Sequence, residues 1–242
     1  MANERTFLRE LIVASIGAAA VGLIYLVIEK TTARSLYAII AALGLATILF
    51  FLVRFFSQKA IVDSYKAKLG LVGVRDIYSN YHDSAPVDQL LIQARTSVDF
   101  LGISGRTFFE GAHIDDTIRK RIKQGITFRF LVLNPESPHL ADKAQSEGDI
   151  PEAWKADIRA SIVRIKALQN EVGGQRVVVK TYDSPPLWRA FFLDQSTVYV
   201  NYYALGRGGK DTPIILIENN GTSLFNPLFG FYNHLWDNAK IE

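Results

Sequence analysis

Cysteine is absent from the 242-residue chain, so neither a disulfide nor a thiolate ligand can enter its chemistry, and the lack is compatible with a reducing compartment. Excess charge is nearly absent too. Lys and Arg exceed Asp and Glu by 27 to 24, a formal charge of +3, too small to point to a nucleic-acid polymer as partner. Histidine is scarce: His82, His113, His139 and His234 stand apart with no metal-ligand spacing, and neither a metal nor a cofactor is expected. No internal repeat or low-complexity tract is present. The most consequential absence is of Asp, Glu, Lys, Arg and His from two long stretches, Leu11–Ile28 and Ser35–Val53, which excludes a proton relay or ion-coordinating transport site within them.

Each uncharged run is about as long as a helix crossing a ~30 Å hydrocarbon layer must be. The short polar connector Glu29-Lys30-Thr31-Thr32-Ala33-Arg34 separates them. Apolar character on every helical face leaves no side for water, so the spacing predicts a transmembrane hairpin over residues 11–56, with helices at 11–28 and 35–56. Small residues recur at fourfold spacing, Ala14, Ala18 and Gly22 on the first helix and Ala38, Ala42 and Ala46 on the second. Such stripes let helix backbones approach, within one hairpin or between hairpins of a homo-oligomer. Arg5 and Arg9 precede the hairpin, and Arg54, Lys59, Lys66, Lys68 and Arg75 follow it. The connector holds only Lys30 and Arg34, which predicts both termini in the cytoplasm and anionic lipid headgroups beside the basic clusters.

Residues 1–10 read as a lead-in, 57–70 as a helical stalk with Ala60, Ile61, Tyr65 and Leu69 at helical spacing, and 71–242 as one domain with its own core. Within that domain, Val87–Ser97 reads as an amphipathic helix and Val98–Ser104 as a buried strand. Ile114, Ile118 and Ile122 mark a helix stopped by Gly125, and Ile126–Leu133 a strand closed by Asn134-Pro135-Glu136-Ser137-Pro138. Glu152–Val172 carries Trp154, Ile158, Ile162, Ile165 and Leu168 on one side of a helix. Strand-like runs follow at Val177–Thr181, Ala190–Asn201 with a turn at Asp194-Gln195-Ser196, and Pro213–Glu218, before an aromatic helix at Pro227–Ala239. Helices interleaved with strands predict an α/β layered domain with a mixed sheet.

Val98–Ser104, the helix after it, Thr127–Leu133 with its Asn-Pro turn, and above all Pro186-Leu187-Trp188-Arg189-Ala190-Phe191-Phe192-Leu193-Asp194-Gln195-Ser196-Thr197-Val198-Tyr199-Val200-Asn201 resemble one half of the phospholipase D superfamily. The resemblance spans about Val74 to Asn238 and implies a soluble α/β/α domain. Active members use a His, a Lys two positions on and an Asp five beyond that, with a small polar pair near the end of the next strand. Here Leu187 stands at the His position, Arg189 at the Lys position and Asp194 at the Asp position, with Asn201 and Tyr202 where the polar pair falls. The family's His attacks phosphorus, and Leu187 has neither lone pair nor proton for that task. Arg189 can hold a phosphate but is a poor acid or base. The resemblance therefore implies a retained phosphate-shaped site without its nucleophile, and no enzyme.

Candidate ligand residues follow from that plan. Ser104, Arg106 and Thr107 supply one set of donors, Asn134 and Ser137 a second, Arg189 with Asn201 a third. Trp188, Tyr182 or Tyr203 offers a ring for a base, a contact worth ~1–3 kcal/mol. Arg207, in Gly206-Arg207-Gly208-Gly209-Lys210, belongs to a basic loop suited to an anion. The layout is similar to membrane effectors of bacterial anti-phage systems that respond to cyclic nucleotides and disrupt the inner membrane. It implies a sensor–effector in the bacterial inner membrane whose partners are the lipid bilayer, a small phosphorylated ligand such as a cyclic di- or oligonucleotide, and further copies of itself. Two alternatives stand beside it: a membrane-bound phosphodiesterase like the cardiolipin synthases, which share the two leading helices but need two intact motifs, and a tethered scaffold.

Overall fold

The computed structural model describes residues 33–79, 87–111, 113–172, 174–204, 211–221 and 224–242. The chain divides into two units, Met1–Ser64 and Tyr65–Glu242. The expected first crossing, 11–28, lies outside the described residues. The second falls within α1, Ala33–Leu71, a 39-residue helix that by its rise is about 58 Å long. Stretches expected as crossing and stalk thus share one helix. Ile48, Phe51, Val53, Phe55 and Phe56 on it are exposed. Among the described residues no helix is long and apolar enough to cross a membrane.

The second unit is built on an eight-stranded mixed sheet. Its strands are β1 (Val74–Tyr78), β2 (Ser97–Gly102), β3 (Thr127–Leu133), β4 (Val177–Tyr182), β5 (Trp188–Leu193), β6 (Thr197–Tyr202), β7 (Ile214–Glu218) and β8 (Lys240–Ile241), in the order β1-β7-β6-β5-β2-β3-β4-β8. β2, β3 and β4 run parallel, and every other neighbour is antiparallel. The helices are α2 (Val87–Gln93), α3 (Ile114–Lys123), α4 (Pro138–Ser146), α5 (Pro151–Val172) and α6 (Phe225–Asn238), with a 3-10 turn at Arg106–Phe109.

Alternation along the strands sends successive side chains to opposite faces. Phe100, Phe130 and Phe191 meet Phe108 of the 3-10 turn on one face. Phe192, the next residue, meets Phe225, Phe229 and Tyr232 of α6 on the other. The predicted interior stripes are buried, Ile114, Ile118 and Ile122 on α3, and Ile158, Ile162, Ile165 and Leu168 on α5. The expected Ala190–Asn201 run resolves into β5 and β6, joined where Asp194 and Gln195 adopt φ of 54° and 53°. Leu193 pairs with Thr197 across a three-residue loop, and the Ser196 amide donates to the Leu193 carbonyl at 3.0 Å to close it. The helix expected to reach Ser97 ends at Gln93, because Ser97 already opens β2. Three elements were not expected from the sequence: β1, α4 and β8.

Candidate functional site

Because β5 runs antiparallel to β2, with Leu101 opposite Ala190, the start of β5 lies beside the carboxyl ends of the parallel strands. That end of an open α/β sheet is where ligands bind. Arg189 stands there opposite Asn201 of β6. Only 6% of Arg189 is exposed, and Asn201 and Thr212 are buried too. Arg189 Nε donates to Asn201 Oδ1 at 2.9 Å, Asn201 Nδ2 to Thr212 Oγ1 at 2.8 Å, and Thr212 Oγ1 to the Tyr202 carbonyl at 3.0 Å. This relay fixes the plane of the guanidinium.

Tyr203 continues the same row. Its hydroxyl accepts from the Ile103 amide at 3.1 Å, and Lys143 Nζ lies 5.8 Å from its ring centroid. Burial pushes the Tyr203 hydroxyl up, against the pull of Arg189. Tyr182, fully enclosed, is pushed well above its ordinary value, first by burial and then by Tyr203. Lys143 Nζ donates to the Ala204 carbonyl at 2.5 Å and pairs with Glu147 at 2.7 Å. The structure thus joins Arg189 and Asn201 with Thr212 in one buried relay, and sets Tyr203 beside Lys143, which pairs with Glu147.

The remaining candidates are placed differently. Trp188 is half-buried on the sheet face opposite Arg189, packed against the core. Ser104 Oγ accepts from the Arg106 amide at 3.3 Å, and the Arg106 side chain, 66% exposed, reaches Asp157 at 3.0 Å and Glu110 at 4.0 Å. Thr107 belongs to the 3-10 turn after β2. Asn134 Oδ1 accepts from the Glu136 amide at 3.0 Å, closing the turn after β3, and the Asn134 amide donates to the Tyr182 carbonyl at 2.8 Å. Ser137 is buried at the N-cap of α4, its hydroxyl without a hydrogen-bond partner among the described residues. Arg207 lies outside the described residues.

Leu187, expected at the family's His position, is 53% exposed. Asp194 sits at the far end of β5, five residues from Arg189 and so roughly 17 Å away along a strand. Its carboxylate accepts from the amides of Arg95, Thr96 and Ser97 at 2.9, 2.6 and 3.1 Å and from the Thr96 hydroxyl at 3.0 Å. Burial works against the charge, but those amides hold Asp194 below its ordinary value. Its partners are structural: they tie the β5–β6 turn to the start of β2. Among the described histidines, His113 and His234 are exposed and His139 is half-buried. No group of three or more His, Asp or Glu suited to a metal ion occurs among the described residues.

Lys143, Glu147 and Thr212 were not singled out by sequence reasoning. Lys143 and Glu147, at i and i+4 behind a proline that opens α4, carried a usable helix signal. Thr212 carried none, since its place depends on where β6 ends.

No protein-family model matches the sequence, and a search of curated proteins finds no match. Among solved structures the chain is similar to Nuc, a phospholipase D family member from Salmonella typhimurium, at 15% identity over 69% of this chain and 96% of that one, with a TM-score of 0.45. It is similar to TrmBL2, an archaeal chromatin protein, at 13% identity over 87% and 72%, TM-score 0.42. It is also similar to NucT from Helicobacter pylori, at 12% identity over 69% and 98%, TM-score 0.41. Each is a likeness of fold.

Proposed function

We propose that the domain from about Leu71 onward is a receptor for a small phosphorylated ligand of cyclic-nucleotide type, built on a phospholipase D-like plan that has lost its attacking imidazole. The uncharged runs Leu11–Ile28 and Ser35–Val53 tether it to the bilayer as a hairpin, with both termini in the cytoplasm. Ligand binding changes how the hairpins of several copies assemble, and the assembled state disrupts the inner membrane in anti-phage defence.

One observation carries the receptor reading: a buried guanidinium, Arg189, is held in a fixed plane by Asn201 and Thr212 at the carboxyl end of the parallel strands. A planar guanidinium matches a phosphate's two oxygens. With Leu187 where the resemblance puts the nucleophile, and with Asp194 committed to backbone amides at the other end of β5, the proposed site suits holding a diester rather than cleaving it. For the ligand to switch assembly almost completely, it must favour the clustered state by roughly 5.5 kcal/mol.

The test uses the full chain in detergent micelles and a panel of cyclic di- and oligonucleotides. A true ligand at a hundredfold excess over its Kd stabilises by about 2.7 kcal/mol, which reads as a raised melting temperature. Arg189→Gln abolishes that rise. No rise with any of the panel, or steady turnover of a phosphodiester by the purified chain, overturns the reading.

A further inference from the structure

Lysine and arginine are not matched evenly over the second unit. Beyond the carboxyl ends of the parallel strands, cations have carboxylate partners: Arg106 pairs with Asp157, Lys143 with Glu147, Lys155 with Glu152 and Arg159 with Glu136. At the amino ends the pattern differs. Arg95 precedes β2, Lys120, Arg121 and Lys123 lie in the last turn of α3 before β3, and Arg176 directly precedes β4. Backbone bonds draw these segments into one row: the Thr127 amide donates to the Thr96 carbonyl at 3.0 Å, the Ile126 amide to the Arg121 carbonyl at 3.1 Å, and the Phe128 amide to the Arg176 carbonyl at 2.7 Å. A Cβ on Gly125 would stand 3.2 Å from Arg176 Nη1, so that guanidinium lies over the end of α3. Arg95, Lys120, Lys123 and Arg176 are exposed, and none of the four forms an ion pair among the described residues. Arg121, half-buried, donates to Gln124 at 2.6 Å. Two carboxylates near the row are engaged elsewhere, Glu171 with Arg119 and Asp194 with the amides of Arg95, Thr96 and Ser97.

Lysines in the last turn of α3 answer the negative end of that helix. Arg95 and Arg176 lie outside it, and no such need accounts for them. Topology gives the row a second meaning. Direction alternates from β2 through β5, β6 and β7 to β1, so β1 starts at the same end as β2, β3 and β4. The chain therefore enters this domain, through Val72-Gly73 after α1, at the basic end. Resting on the membrane tether proposed above, we propose that Arg95, Lys120, Lys123 and Arg176 form a docking surface for the anionic headgroups of the leaflet beside which the hairpin holds the domain. Because the tether makes docking intramolecular, a weak attraction per residue suffices. Each cation beside an anionic leaflet raises the docked population roughly fivefold. Docking by this end leaves the Arg189 end of β5 facing away from lipid, open to a ligand arriving from the cytoplasm.

Because the chain holds no cysteine, a single introduced one carries a fluorescent donor at a chosen place. Gln175→Cys puts it beside Arg176, and Asp183→Cys puts it past the other end of β4, roughly 26 Å along the strand direction. Each full chain is reconstituted into vesicles of phosphatidylcholine alone or of phosphatidylcholine with phosphatidylglycerol, both carrying an acceptor on a headgroup. Phosphatidylglycerol is expected to raise energy transfer from position 175 and to leave position 183 the weaker donor. Lys120→Glu/Lys123→Glu/Arg176→Glu loses that rise, the docked population falling about a hundredfold for three cations. Should the triple variant not fold, 1 M salt, which shortens the screening length to about 3 Å, removes the rise from the unsubstituted surface. Equal transfer from position 175 in both vesicles, or a rise that survives the substitutions or the salt, overturns the docking. If no rise appears and a fluorescent polynucleotide binds the chain in neutral vesicles but not the triple variant, the row serves nucleic acid and the lipid proposal is overturned. Flotation with phosphatidylcholine vesicles reports the tether by itself, so a chain that floats there without showing the rise gives up the docking alone. A chain that floats with neither vesicle gives up both.

Discussion

Two aspartates, Asp194 half-buried in the β5–β6 turn and Asp99 buried on β2, show how residue type alone leaves a role open. Asp194 is ringed by the Arg95, Thr96 and Ser97 amides, which hold its carboxyl down against burial. Its folded pKa lies below the unfolded value, so its contribution is present above that value and is lost as pH falls through the folded one, below about pH 4. Asp194→Asn is expected to cost about 1–3 kcal/mol at pH 7, toward the low end because the carboxylate is partly solvated, and to flatten the acid limb of a urea-midpoint profile. Asp99 on β2 behaves in the opposite sense. It is fully buried, Arg129 Nε donates to it at 2.6 Å, and that guanidinium lies over the Tyr232 and Trp236 rings of α6. Burial raises Asp99 more than Arg129 lowers it. Its contribution is therefore full below the unfolded pKa and is lost as pH rises through the folded one. Asp99→Asn removes that fall, and the same midpoint series checks it.

Elements show what the sequence made legible and what it hid. The Asp194-Gln195-Ser196 turn was readable from the break between two β-rich runs, but its hand was not, since Gln195 at φ 53° is not a residue that favours the left-handed region. Gln195→Gly is expected to stabilise the hairpin by roughly 0.5–1 kcal/mol, read as a raised denaturant midpoint with unchanged slope. Apolar periodicity likewise revealed α3 and α5, because each buries one clean stripe. β1 was hidden because Val74-Arg75-Asp76-Ile77-Tyr78 shows three exposed positions in a row around a bulge. α4 was hidden behind a turn-rich lead-in, and with it the Lys143–Glu147 pair. Arg189 and Asn201, singled out through the phospholipase D resemblance, face each other across the β5–β6 hairpin; Arg106, singled out from a polar turn, pairs instead with Glu110 and Asp157 at the surface. Packing at the carboxyl end of β2 is tight: a Cβ on Gly102 would stand 2.5 Å from the Phe100 ring, itself wedged against Phe108, Phe130 and Phe191. Gly102→Ala is expected to cost about 1–3 kcal/mol, measured by the same unfolding assay.

At the scale of the whole molecule, the membrane reading rests on composition. Along α1 the character of the helix changes from the exposed apolar series Ile48, Phe51 and Phe55 to the mixed stretch holding Lys59, Asp63, Lys66 and Lys68. An apolar surface of the first kind is not tolerated by water unless something covers it. Lipid is the cover that the two uncharged runs together suggest, and it makes a prediction that protein cover does not. Under a bilayer origin, one Asp at the centre of each run, Ala18→Asp and Ala42→Asp, opposes insertion by ~2.5–3.5 kcal/mol apiece. The full wild-type chain then stays in the membrane pellet through an alkaline carbonate wash, and the doubly substituted chain is released. Were the runs covered by protein instead, carbonate would extract the wild type as readily as the variant, and the tether, though not the Arg189 relay, would have to be given up.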